Sequence, residues 1–244
     1  RDGADSQVLG WPLGWCAQSL WFVSLITSSL GIIFDWDGVI IDSSRQHEES
    51  WERLAEEEGK VLPSDHFTVG FGRKNEWIIP SLLKWTEDEV EIGRLSLRKE
   101  AIYREVVVEK GLSALPGVAE FLQRLEAAGI PNCVGSSTHR ANIDTIMGVL
   151  GFEGLFGGIV TAEDVLHGKP DPEVFLKAAA KTGCAPQHCI VFEDAMAGIE
   201  AARAGGMKVV GVATTHPANE LTMTDRVVHR LDELQIDDLR NLIA

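Results

Sequence analysis

Asp35 and Asp37 stand two residues apart at the end of an apolar run, Gly31-Ile32-Ile33-Phe34, and Gly38 follows them. The pattern reads as a buried strand whose tip delivers acids into a crevice, and that tip is where chemistry would sit. A calcium loop also begins Asp-x-Asp. Its fifth position would fall on Val39 and its obligatory glycine on Ile40, so the ligand set fails. An ordinary acidic turn stays open for this motif taken alone.

Three further stretches present polar groups. The first ends Val134-Gly135-Ser136-Ser137-Thr138-His139. A hydroxyl and free backbone N–H groups at a helix start suit a phosphate oxygen, although a plain N-cap serine would look the same. The second feature is the turn His167-Gly168-Lys169-Pro170-Asp171-Pro172, with a proline just inside the next helix. Lys169 in isolation would be a solvated surface charge. The third run ends Val191-Phe192-Glu193-Asp194 before a helix opening Ala195-Met196-Ala197-Gly198. It could be an acidic cap favoured by the helix dipole, or a set of oxygen ligands for a hard cation such as magnesium.

These groups need elements to hold them. Apolar strands are expected over 130–135, 158–161, 189–192 and 209–213, alternating with helices over 143–150, 172–182 and 195–204. Before them an amphipathic helix carries Val118, Phe121, Leu122 and Leu125 on one face and ends at Gly129. A last strand over 227–231 and a closing helix over 236–243 carry no candidate chemistry. Near-continuous apolar strands alternating with helices predict an α/β fold with a doubly wound parallel sheet, its ligand site at the carboxyl ends of the strands. Residues 43–113 are richer in charge and read as several helices, with His47, Trp51, Leu54 and Ala55 at helical spacing and a break at Gly70-Phe71-Gly72-Arg73-Lys74-Asn75.

With 244 residues, 45% hydrophobic and 24% charged, the chain can bury a sizeable core. A formal charge of -15 would repel nucleic acid and anionic membrane surfaces, so neither is expected as a partner. The four cysteines, Cys16, Cys133, Cys184 and Cys189, lack metal-ligand spacing, and a reducing compartment is the simplest expectation. The stretch 15–30 is apolar but interrupted by Gln18, Ser19, Ser24, Thr27, Ser28 and Ser29, which argues against a membrane span. Asp2 and Asp5 spoil the basic region of a signal peptide. Residues 1–29 are therefore expected to be an appended leader of unknown role.

The strand followed by Asp35-Trp36-Asp37-Gly38, with Ser136, Lys169 and the Glu193-Asp194 pair in order, resembles the haloacid dehalogenase superfamily, on the branch with a helical cap. The resemblance spans 31–213 and implies a Rossmann-like core over 30–42 and 114–244 with a cap over 43–113. It makes Asp35 the nucleophile, Asp37 the general acid/base and Lys169 the cation beside them. Ser136 and Ser137 would bind phosphate. Magnesium would be held by Asp35, the Asp37 carbonyl and Asp194, with Glu193 bracing the site. Asp37 separates the chain from the name-giving dehalogenases, which lack the second aspartate, and from transport ATPases, which carry threonine there. His47, Arg73 and Lys99, with Trp51, match the cap of the beta-phosphoglucomutase branch as substrate contacts. The stretches Glu56-Glu57-Glu58-Gly59-Lys60 and Lys74-Asn75-Glu76 faintly resemble plastid pyrimidine phosphatases of riboflavin synthesis.

The expected function is a magnesium-dependent phosphatase acting on a small phosphorylated metabolite through an aspartyl phosphate. A phosphosugar mutase and a non-catalytic binding protein of the same fold are the alternatives. A monomer, soluble and intracellular in cytoplasm or plastid, is expected.

Overall fold

The computed structural model describes residues 30–70 and 73–244. The leader expected over 1–29, Cys16 included, and Phe71 and Gly72 of the expected break lie outside the described residues. Among the described residues six parallel strands form one sheet in the order β3-β2-β1-β4-β5-β6: β1 (Gly31–Phe34), β2 (Asn132–Gly135), β3 (Ile159–Val160), β4 (Cys189–Glu193), β5 (Lys208–Val212) and β6 (Arg226–Val228). The strand carrying Asp35 is thus central, with Phe34 in register with Val134 on one side and Phe192 on the other.

Alternation along these strands explains their unbroken apolar sequence. Ile32, Phe34, Val134, Ile190, Phe192 and Val210 feed one buried cluster, while Ile33, Cys133, Cys189, Val191 and Val209 feed another on the opposite face. A sheet covered on both sides needs apolar residues at every position. The first face is closed by α5 (Val118–Ala127), α6 (Arg140–Leu150) and α9 (Ile236–Ile243), the second by α7 (Glu173–Thr182) and α8 (Met196–Ala204). Trp36 turns into the first cluster, its ring centre 6.0 Å from that of Phe156, and so points its bulk away from the acids on either side of it.

Between β1 and α5 the chain inserts α1 (Ser44–Glu58), α2 (His66–Gly70), α3 (Asn75–Trp77), a π-helical turn at Ile78–Leu82, and α4 (Glu89–Lys110). Trp51, Leu54, Ile79, Leu95, Ile102 and Val106 give this insert a separate apolar cluster. Its exposed charges pair across α1 and α4, as in Arg94 with Glu58 and Arg98 with Glu57, and form a solvated face worth little individually. The chain enters and leaves the insert side by side: Ile41 bridges Ala114, and the Leu115 N–H donates to the Ile40 carbonyl at 2.9 Å.

The expected elements are all present, with ends moved by three residues at most. The sharpest differences are the strand expected over 158–161, which shortens to Ile159–Val160, and the one over 227–231, which becomes Arg226–Val228 followed by a 3-10 turn at Leu231–Glu233. Element ends are where pairing runs out and the pattern carries least information. No helix among the described residues is long and apolar enough to cross a membrane.

Candidate active site

Asp35 follows β1 directly, and its N–H continues the ladder by donating to the Phe192 carbonyl at 2.9 Å. That bond fixes the backbone from which the carboxylate projects. Lys169, on the loop before α7, places its Nζ 2.7 Å from Asp35 Oδ1, 3.2 Å from Glu193 Oε2 and 4.7 Å from the centre of the Phe175 ring. Burial alone would lower the lysine pKa, but the charges of Asp35 and Glu193 prevail and raise it. Glu193 and Asp194 end β4. Oxygens of Asp35, Glu193 and Asp194 lie within 4.8 Å of one another, and all three residues are buried.

Three acids and one ammonium leave an excess of negative charge. Burial, then the neighbouring Asp35, pushes the Glu193 pKa well above the usual carboxylate range and Asp194 up to about 6. A divalent cation with a taste for oxygen fits this donor set in charge and in chemistry. The main chain makes room for two of these carboxylates at two glycines. Gly38 has φ +79°, and a Cβ there would strike the Asp194 carboxylate; a Cβ at Gly198 would strike that of Glu193. The acidic-cap alternative fails because the cap position of α8 is Ala195, with no side-chain cap bond.

The sign of the pH effect on cation binding follows from Asp194. Protons compete with the cation below its pKa of about 6. Magnesium affinity is therefore expected to weaken roughly tenfold per pH unit on acidification below that value. Isothermal titration calorimetry on the purified protein checks this, and affinity independent of pH would contradict it.

Asp37 points elsewhere. Its Oδ1 accepts from Ser43 Oγ at 2.5 Å and its Oδ2 from Thr138 Oγ1 at 2.6 Å. Burial raises its pKa and the two hydroxyls partly offset that rise. Ser136 is buried, and its Oγ accepts from the Thr138 N–H at 3.0 Å. Since α6 starts only at Arg140 with His139 as its cap residue, Ser136 is not a plain N-cap. Ser137 is exposed on the same turn. Ser43 and Thr138 were not singled out by sequence reasoning; a hydroxyl within each motif was the available signal.

The expected insert residues divide. His47 and Lys99 meet, with Lys99 Nζ 2.6 Å from His47 Nδ1, and His47 stacks on Tyr103 at 4.0 Å. Burial and the Lys99 charge pull the His47 pKa down to about 3, so its ring is neutral and accepts from Lys99. Lys99 is only 3% exposed and also donates to Glu100 at 3.0 Å. Arg73 is exposed, its guanidinium 4.8 Å above the Trp77 ring, and it makes no ion pair among the described residues. A second acidic group, His167 with Asp171 and Glu173, is mostly exposed, and Glu173 is already occupied by two backbone N–H groups and Lys177.

Residues 30–206 match the family of haloacid dehalogenase-like hydrolases. The chloroplastic 5-amino-6-(5-phospho-D-ribitylamino)uracil phosphatase of Arabidopsis thaliana is 41% identical over 216 residues, covering 87% of this chain. The chain spans 57% of that relative's length. Hexitol phosphatase A of Escherichia coli is 33% identical over 211 residues, 84% of this chain and 93% of its own. Among solved structures, a HAD hydrolase of family IA from Entamoeba histolytica superposes with a TM-score of 0.79 at 27% identity, covering 88% of this chain and 99% of that one.

Proposed function

The chain belongs to the haloacid dehalogenase-like hydrolase family, and from that premise we propose that it is a magnesium-dependent phosphatase acting on a small phosphate monoester. The observation that carries this reading is the contact of Lys169 with Asp35 at 2.7 Å inside a buried acidic trio. A carboxylate cannot approach a phosphate dianion without cations beside it, and this arrangement offers one and a place for another.

Asp35 attacks phosphorus, and the bond from phosphorus to the ester oxygen breaks. Asp37 gives its proton to the leaving alkoxide, and its raised pKa keeps the acid form within reach. Water then attacks the aspartyl phosphate, returning a proton to Asp37 and freeing Asp35 with release of phosphate. Asp35, Asp194 and the Asp37 carbonyl would hold magnesium, with Glu193 behind them. Bound there, the ion supplies charge neutralisation at the phosphoryl oxygens. Ser136 receives one of those oxygens, Ser137 offers a backbone contact and Lys169 balances another.

Hydrolysis is favoured over the mutase reading because Lys99, one of the two insert cations expected to hold a second phosphate, is buried against Glu100. The other, Arg73, is exposed over Trp77. Replacing Arg73 by alanine is accordingly expected to change kcat/KM for p-nitrophenyl phosphate by less than about threefold, the scale of an exposed side chain outside the chemistry. A mutase holding a bisphosphate would lose far more. The Arabidopsis relative's named substrate joins sugar phosphates and nucleotides in the panel to be tried, and the same relative favours a plastid location.

The test is magnesium-dependent release of phosphate from p-nitrophenyl phosphate and from that panel, with chelation stopping it. No release under any condition would leave the non-catalytic alternative. Appearance of glucose 6-phosphate from beta-glucose 1-phosphate would favour the mutase. Ser136→Ala is expected to lower kcat/KM roughly 10²-fold, as for a donor aimed at developing charge; an unchanged value in steady-state assays would remove Ser136 from the site.

A further inference from the structure

Helix α4 presents Glu100 and Arg104 four residues apart, which places them on one face. Both reach the same residue of the core. Asn142 sits in the first turn of α6, directly after the turn that carries Ser136 and Thr138. Its Nδ2 donates to Glu100 Oε2 at 2.6 Å, and its Oδ1 accepts from Arg104 Nη1 at 2.8 Å. The planar amide is read at both ends, donor to acceptor and acceptor to donor, and Asn142 is 1% exposed. The other Glu100 oxygen accepts from Asn75 Nδ2 at 2.8 Å and Lys99 Nζ at 3.0 Å, so the carboxylate is fixed from both the insert and the core.

We propose that Glu100, Arg104 and Asn142 form a two-point catch that seats the inserted helices over Asp37, and that the three are positioning residues for the reaction. This rests on the phosphatase reading of the site beneath. Asp35 is 8% exposed and Ser136 1%, and a lifting of the insert would widen the way to them for a phosphate ester. A polar catch suits such a movement. Its charged and amide groups regain water on opening, so it sets register strongly while opposing opening weakly, whereas an apolar seam would oppose opening in proportion to its area. The chain segment it fixes is the one that bears on Asp37. The Asn142 N–H donates to the His139 carbonyl, the neighbouring Thr138 hydroxyl donates to Asp37 from the core, and Ser43 does so from the start of α1.

The test exchanges the partners. Asn142→Asp sets a carboxylate against Glu100 and removes the donor. Amide hydrogen exchange of 99–107 and 140–147 is expected to rise, and kcat/KM for p-nitrophenyl phosphate to fall, each roughly tenfold or more, the scale of a broken contact pair. The double variant Glu100→Gln/Asn142→Asp restores the order of donor and acceptor: the new amide donates to the new carboxylate, which accepts from Arg104. Both readouts are expected to return to within about threefold of the wild type, a coupling that independent sites would not show. A double variant no better than the sum of the single changes, or an Asn142→Asp protein with unchanged exchange, overturns the catch. Should Asn142→Asp not fold, a folded double variant with near-normal exchange supports it, and a double variant that also fails to fold overturns it. Exchange needs no turnover, so a wild-type protein that releases no phosphate would sink the phosphatase reading while the catch is still measured.

Discussion

Asp35→Asn is expected to lower kcat on the order of 10⁴-fold or more while leaving the chain folded, as when the nucleophile of a covalent mechanism is lost. The amide is nearly the same size, and the N–H of residue 35 would still donate to the Phe192 carbonyl, so the central strand keeps its ladder. What goes is the charge that attacks phosphorus. Lys169 retains Glu193 at 3.2 Å, so the lysine is not stranded in the interior. Thermal melts of the variant should therefore stay near those of the wild type, and steady-state assays with p-nitrophenyl phosphate should show the loss. Activity preserved in Asp35→Asn would end the nucleophile assignment.

Lys169→Ala is expected to damage both chemistry and fold. The lysine is the one cation in contact with Asp35 and Glu193 among the described residues, and its side chain is 10% exposed. Removing one partner of a buried ion pair leaves its acids uncompensated and costs about 3–5 kcal/mol. Since the lysine pKa is raised, its contribution is complete at neutral pH and fades only in strongly alkaline solution. In the variant, the buried acids should rise further in pKa and take up protons on folding. The stability deficit is then expected to shrink as pH falls from neutral toward the range where Glu193 and Asp194 protonate, and to shrink again on adding magnesium. Activity should fall roughly 10³-fold, as when a stabiliser of transferring charge is lost. Urea melts at several pH values measure the first effect. A deficit that grew on mild acidification would contradict the charge excess assigned to this site.

Much of this arrangement is legible in the amino-acid sequence. The strands were visible because a sheet covered on both faces leaves no polar position, so each strand end announced itself by the first polar residue after an apolar run. Asp35, Ser136 and the Glu193-Asp194 pair were found that way, and Lys169 by its turn; the structure gathers all but Ser136 into direct contact or the same acidic trio. Contacts made by common residue types were not legible. Ser43 and Thr138 look like any hydroxyls in turns, and nothing in their spacing says that both bond Asp37. Glu100 and Asn142 lie 42 positions apart, one in the insert and one in the core, and only the fold brings them together. Lys99 is expected from the sequence as a substrate contact on the insert, and its burial is not legible there. The rings of Trp51 and Tyr103, 5.5 and 5.4 Å from its Nζ, and the adjacent Glu100 make it an interior group. That burial takes one of the two expected insert cations away from a second phosphate.

The central claim is that Asp35 becomes phosphorylated during turnover. Mixing the protein with magnesium and excess p-nitrophenyl phosphate, quenching in acid within the first turnovers and mapping the peptides by mass spectrometry tests it directly. The expected result is a single phosphoryl group on the peptide that contains Asp35, absent from Asp35→Asn and lost on mild alkaline treatment, as an acyl phosphate would be. Sustained phosphate release with the label on another residue, or on none at any quench time, would contradict the account.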